Sequence, residues 1–158
     1  MRKIDQLLAE YGESHRNATN KTIHWVCVPL IFFSIMGLIA SIPPGIVQKL
    51  LGEGNPYANW ATVALLLAIA YYVTLSIPLT IGMALFGLAC LFVAKTIGQS
   101  GYPLWIISLI IFVAAWIGQF YGHKVEGKKP SFLKDLQFLL IGPAWLMHFI
   151  YMRLGIPY

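Results

Sequence analysis

Apolar positions along this chain come in long runs separated by short polar links, and the runs predict helices. Ile4, Leu7, Leu8 and Tyr11 fall at i, i+3, i+4 and i+7, with Asp5, Gln6 and Glu10 on the other face. That period predicts a short amphipathic helix lying in the membrane interface. Trp25 to Ile42 is uncharged, about the length that crosses a bilayer core, and Pro43-Pro44-Gly45 stops it. A mixed loop through Lys49, Glu53, Asn55 and Pro56 follows. Trp60 to Ala94 holds 35 residues without a charge. One helix of that length would extend roughly 50 Å against a hydrocarbon core of ~30 Å, so two spans with a tight turn near Ser76 to Thr80 are expected. Lys95 to Pro103 reads as a polar link, Leu104 to Tyr121 as a further span, and Gly122 to Asp135 as the most charged loop. The last apolar run, Leu136 to Tyr151, is interrupted by Gly142-Pro143: as a full span it would carry His148 deep or toward the opposite side, whereas a split there gives a short entry and a re-entrant helix.

The predicted fold is therefore all-α. It is a single integral membrane domain over residues 1–158, a polytopic helical bundle of about five transmembrane or re-entrant helices plus the N-terminal interfacial helix. Composition agrees: 58% of the residues are hydrophobic and 11% charged, with a mean hydropathy of +0.71, outside the range of a water-soluble domain. A chain of 158 residues leaves no room for a separate soluble catalytic module, so chemistry falls to the bundle and its loops. Met1-Arg2-Lys3 is followed by Asp5, Gln6 and Glu10 without an apolar core, so no signal peptide is expected.

Charge adds orientation. The net charge is +5, and the basic residues cluster. Arg2, Lys3, Arg16 and Lys21 precede the first span, and Lys124, Lys128, Lys129 and Lys134 follow Tyr121. The positive-inside rule puts both groups on the cytoplasmic side, which requires an even number of spans between them, and four satisfy it. The basic balance thus reads as a partner of the lipid bilayer rather than of nucleic acid. Cys27 and Cys90 lie in separate apolar runs, and neither a disulfide nor thiolate chemistry is expected of them.

The same parity brings His15, His24 and His123 to one face although about a hundred residues separate the last two. The stretch from Tyr11 to Pro29 carries two of the four histidines with Arg16, Asn17 and Asn20 at the entrance of an apolar run, where polar groups are costly unless something binds them. His148 joins the others only if the re-entrant break turns it toward them. Three or four converging imidazoles suit Fe, Zn or Mn. Glu126, three residues after His123, is placed to ligate or to orient His123, with Glu13 as the other option. Asn20 is placed to bond backbone or a ligand histidine, and Arg16 and Lys124 to hold a substrate carboxylate. The competing reading is a small non-catalytic scaffold or assembly protein with interfacial histidines. A desaturase-like di-iron site needs more histidines than the four present, and a transporter needs intramembrane charges that these spans lack.

At Ser14-His15-Arg16-Asn17, Asn20, His24 and Pro29, then Gln119-Phe120, Gly122-His123, Glu126-Gly127 and Pro130, the chain resembles a family of small membrane proteins long labelled a domain of unknown function. Its best understood member is a fungal endoplasmic-reticulum enzyme that shortens 2-hydroxy fatty acids from phytosphingosine by one carbon. The resemblance covers nearly the whole chain. It implies an Fe(II)-dependent dioxygenase catalysing alpha-oxidation of long-chain 2-hydroxy fatty acids with O2, with His15, His24 and His123 as essential histidines. At His148 many relatives are expected to carry a carboxylate, so that ligation there would be a swap. The resemblance further implies that Arg16 holds the head group and that the acyl tail lies between spans, where Gly82, Ala84, Gly87 and Ala89 leave room. The host membrane would be the bacterial inner membrane or that of the endoplasmic reticulum.

Overall fold

Short polar side chains start the helices. Asn17 Oδ1 accepts the backbone N–H groups of Thr19 and Asn20, and Asn59 Oδ1 those of Ala61 and Thr62, satisfying donors that a helix start leaves unpaired. Ser76 Oγ does the same for Leu79, two residues before Pro78 in the first turn. Gly127, at φ 73°, ends its helix in the left-handed region, which favours glycine. In the computed structural model, which describes residues 1–131 and 136–158, the order is α1 (Lys3–Gly12), α2 (Ala18–Ala40), α3 (Ile46–Leu51), α4 (Trp60–Val73), α5 (Ile77–Gln99), α6 (Leu104–Glu126) and α7 (Phe138–Leu154). No strand occurs among the described residues.

Helices α2, α5 and α6 each have 23 residues, with mean hydropathies of 2.2, 2.3 and 2.0. At 1.5 Å per residue each reaches about 34 Å, enough to cross the ~30 Å core. Leu85, Leu88 and Phe92 on α5 and Ile110, Val113 and Ile117 on α6 remain exposed, as faces turned to lipid would be. The two shorter apolar helices, α4 and α7, complete a membrane-associated bundle.

The central packing is α2 against α6, and glycines set its closeness. A Cβ at Gly37 would lie 2.1 Å from Ser108 Oγ, one at Gly118 2.7 Å from Cys27 Sγ, and one at Gly122 2.4 Å from Asn20 Oδ1. Small residues let two backbones approach without side chains between them. The order of these contacts makes the pair antiparallel, so the start of α2 lies beside the end of α6. This is the geometric step that joins residues 15–24 to residue 123. Gly37→Ala is expected to destabilise the protein by about 1–3 kcal/mol through overpacking. Gly98→Ala, where a Cβ meets nothing within 4 Å, is expected to stabilise α5 by ~0.5–1 kcal/mol. Thermal unfolding in detergent separates the two by sign.

Several expectations are corrected by the packing. The stripe Ile4, Leu7, Leu8 and Tyr11 is buried as the period predicts, but it covers protein rather than lipid, clustering with Phe138, Ile141 and Trp145 of α7. The loop after Pro44 contains α3. The hairpin turn falls at residues 74–76, just ahead of the expected place. Helix α7 runs through Gly142-Pro143 without a break. Pro143 has no N–H to give the Leu139 carbonyl, while the neighbouring Leu140 carbonyl accepts the Tyr72 hydroxyl at 2.7 Å, and Gly142 lies against Tyr11. The glycines expected to leave room for an acyl tail are filled: Gly82 by Met147 and Tyr151, Gly87 by Leu65. Lys134, counted with the basic residues of the last loop, and Asp135 at its end lie outside the described residues.

Candidate metal centre

Three elements deliver one imidazole each. His15 stands in the turn between α1 and α2, His24 lies in the second turn of α2, and His123 lies in the last turn of α6. They are 1%, 1% and 4% exposed. One ring nitrogen from each of the three falls within 4.8 Å of the others. His15 Nε2 and His24 Nε2 are 2.7 Å apart.

The outward-facing nitrogens fix the protonation pattern. His15 Nδ1 is 2.5 Å from the Tyr11 carbonyl, and His24 Nδ1 is 2.9 Å from the Asn20 carbonyl. A carbonyl only accepts, so each Nδ1 carries the hydrogen and each neutral Nε2 presents a lone pair. Two lone pairs 2.7 Å apart repel unless a cation lies between them. Burial pushes His15 down to about 4, so at neutral pH its lone pair is free to bind a metal. His123 Nδ1 is buried without a hydrogen-bond partner among the described residues, which leaves a third donor unsatisfied. The donor set fits a borderline divalent metal. The 2.7 Å separation is close to the roughly 3 Å between neighbouring nitrogens bound at ~2.1 Å and a right angle. Backbone carbonyls behind ligand imidazoles are the usual second layer of such sites.

Aromatic rings hold the imidazoles in place. Tyr11 stacks on His15 with centroids 4.2 Å apart and planes 14° apart, and Trp145 lies 5.3 Å from the same ring. Neither ring stood out in the sequence, where both read as ordinary apolar positions of their helices.

The remaining candidates divide. Glu126 accepts the backbone N–H groups of Arg16 at 3.0 Å and Asn17 at 2.7 Å, and Asn20 Nδ2 at 3.2 Å. It thus fastens the start of α2 to the end of α6, a carboxylate at a positive helix terminus, rather than joining the three histidines. Asn20, fully buried, also donates to the Ser14 carbonyl at 3.1 Å, and its own carbonyl takes the His24 hydrogen, so it positions a ligand candidate. Arg16, Glu13 and Lys124 are exposed, and neither Arg16 nor Lys124 lines the cavity described below. His148 is not brought to the cluster. Helix α7 is continuous, so no re-entrant turn swings His148 inward, and its Nδ1 pairs with the Tyr158 hydroxyl.

A cavity of about 280 Å³ opens from His24 and His123 and follows one face of α2 through Val28, Ile31, Phe32, Ile35, Met36 and Ile39. From His24 to Ile39 this face is about 22 Å long at 1.5 Å per residue. Its other walls include Ala64 and Ala68 of α4 and Phe138 to Leu140 of α7. The wall is overwhelmingly apolar, matching a hydrocarbon chain rather than a polar metabolite.

These features define a membrane helix bundle in which a buried three-histidine site, able to hold a metal ion, forms the polar end of an apolar cavity. Across residues 1–154 the chain matches the family described as Mpo1-like, 2-hydroxy-palmitic acid dioxygenase Mpo1-like, and it belongs to that family. No curated protein and no solved structure matches it.

Proposed function

We propose that this protein is an Fe(II)-dependent dioxygenase that converts long-chain 2-hydroxy fatty acids to the acid one carbon shorter, with His15, His24 and His123 holding the iron. The observation that carries the reading is the pair of opposed Nε2 lone pairs, each backed by a carbonyl-bound Nδ1 hydrogen, at the polar end of a hydrocarbon-sized cavity. The family description supports the substrate class and the reaction type.

The reaction balances without an outside reductant. A 2-hydroxy acid and one O2 give the shortened acid, carbon dioxide and water, and all four electrons that reduce O2 come from the acid. When bound, iron supplies a Lewis-acidic centre that activates O2 beside a chelating carboxylate and hydroxyl. The chain's own residues do the rest. His15 and His24 keep their hydrogens on Nδ1 through the Tyr11 and Asn20 carbonyls, so both stay neutral donors. Glu126 and Asn20 hold the turn that carries His15. Tyr11 and Trp145 shield the site from water, and the cavity along α2 aligns the acyl chain so that its carboxyl end meets the histidines.

The two basic clusters flanking the four helices α2, α4, α5 and α6 support a cytoplasmic orientation for this end of the bundle. The host membrane on this reading is the bacterial inner membrane or the endoplasmic reticulum. Purified protein incubated aerobically with Fe(II) and 2-hydroxyhexadecanoic acid is expected to release pentadecanoic acid and carbon dioxide, with one O2 consumed per product. Full iron occupancy with no shortened acid would contradict the assignment and favour a non-catalytic role.

A further inference from the structure

The cavity contains few polar side chains besides the histidines. Ser131 Oγ is satisfied by Ser14 Oγ at 2.6 Å. Tyr11 and Gln119 differ: each lines the cavity, they are 6% and 4% exposed, and neither side chain makes a hydrogen bond to a described residue. The Tyr11 ring already has a packing role against His15. Gln119 has none of that kind. It lies on α6 one turn before His123, four residues away, so helical geometry puts both on the same face. A leucine there would fill similar volume without leaving a carboxamide unpaired, and buried amides without partners are costly. The Gln119 side chain lines the cavity, where a ligand's polar head can complete its unpaired carboxamide.

We propose that Gln119 is the substrate-binding residue that distinguishes 2-hydroxy acids from acids lacking the hydroxyl, its carboxamide bonding to the ligand's head beside His123. A primary amide offers N–H donors and a carbonyl acceptor on one planar group. A 2-hydroxy acid offers the complement on adjacent carbons: carboxylate oxygens that accept and a hydroxyl that donates. The plain acid leaves the Gln119 carbonyl unpaired. Sites built to hydrogen-bond a hydroxyl reject the analogue lacking it far more strongly than apolar pockets reject a change of size.

This inference rests on the functional reading above, and the experiment keeps the two apart. Iron-loaded protein is titrated anaerobically, so that no turnover occurs, with 2-hydroxyhexadecanoic acid and with hexadecanoic acid, following the intrinsic fluorescence of its five tryptophans, of which Trp116 lines the cavity. Wild-type protein is expected to bind the hydroxy acid at least about tenfold more tightly. Gln119→Leu is expected to lose most of that preference, keeping only the part that chelation of the hydroxyl by iron supplies, with full iron content and thermal unfolding no earlier than wild type. Gln119→Glu is expected to weaken the hydroxy acid further by setting one carboxylate against another. A Gln119→Leu protein that keeps its iron and its preference overturns the assignment. Wild-type protein that yields the shortened acid yet binds the two acids alike overturns the Gln119 role alone. Protein that holds no iron and binds neither acid overturns the functional reading and this assignment with it.

Discussion

His24→Ala is expected to weaken iron binding by more than about a hundredfold, beyond the ~10–100-fold that attends loss of residues merely supporting a ligand, and to abolish product formation. The imidazole removed is 1% exposed and supplies one of the two opposed Nε2 atoms. The fold is expected to survive, because His24 makes its polar contacts with the other imidazoles and its own helix. Two readouts separate lost ligation from lost structure. Iron content of the purified variant should fall to background. Added Fe(II) at a hundred times its dissociation constant should stabilise the wild-type protein by about 2.7 kcal/mol and leave the variant's unfolding unchanged. A variant with full iron content and turnover would remove His24 from the ligand set.

Ala64→Phe is expected to change which acids are processed without touching the metal. Trp60 Nε1 donates to the Pro43 carbonyl just beyond α2, so α4 starts where α2 ends and runs back beside it. Ala64 therefore lines the cavity near Met36 and Ile39, at the end far from His24. On the proposed function, a phenyl ring there would take the space of a long chain's terminal carbons. Turnover of 2-hydroxyhexadecanoic acid should drop at least about tenfold, the cost of roughly 1.4 kcal/mol of misfit and within the range of overpacking. Turnover of a 2-hydroxy acid several carbons shorter should stay near wild type, as should iron content. Equal losses at both lengths would mean that the chain does not lie along α2.

How much of this was legible in the chain depends on the kind of signal. The α1 stripe was readable because a 3.6-residue period survives any partner, yet the period does not say whether protein or lipid covers the stripe. The α4–α5 hairpin was readable from length alone, since 35 apolar residues overrun the bilayer. His15, His24 and His123 could be placed at one end by counting spans between basic clusters, an argument that needs no contact information. The glycine-mediated crossing of α2 and α6 then brings them within bonding range. His148 was misplaced because proline in a helix was read as a break. Inside a membrane bundle a neighbouring hydroxyl, here Tyr72 on the Leu140 carbonyl, helps the backbone stay helical. Gln119 and the ring of Tyr11 were missed as site residues for a different reason. Gln119 matters because its side chain has no hydrogen-bond partner in the cavity wall and Tyr11 because its ring stacks on His15, and only three-dimensional packing reveals either.

X-ray absorption at the iron edge of protein loaded anaerobically with one equivalent of Fe(II) probes the metal centre itself. The expected result is one iron per chain with three imidazole nitrogens at about 2.1 Å, and loss of imidazole scattering in His15→Ala, His24→Ala and His123→Ala alike. Iron that does not bind stoichiometrically, or that binds with no imidazole in its coordination shell, would contradict a centre built from these three histidines.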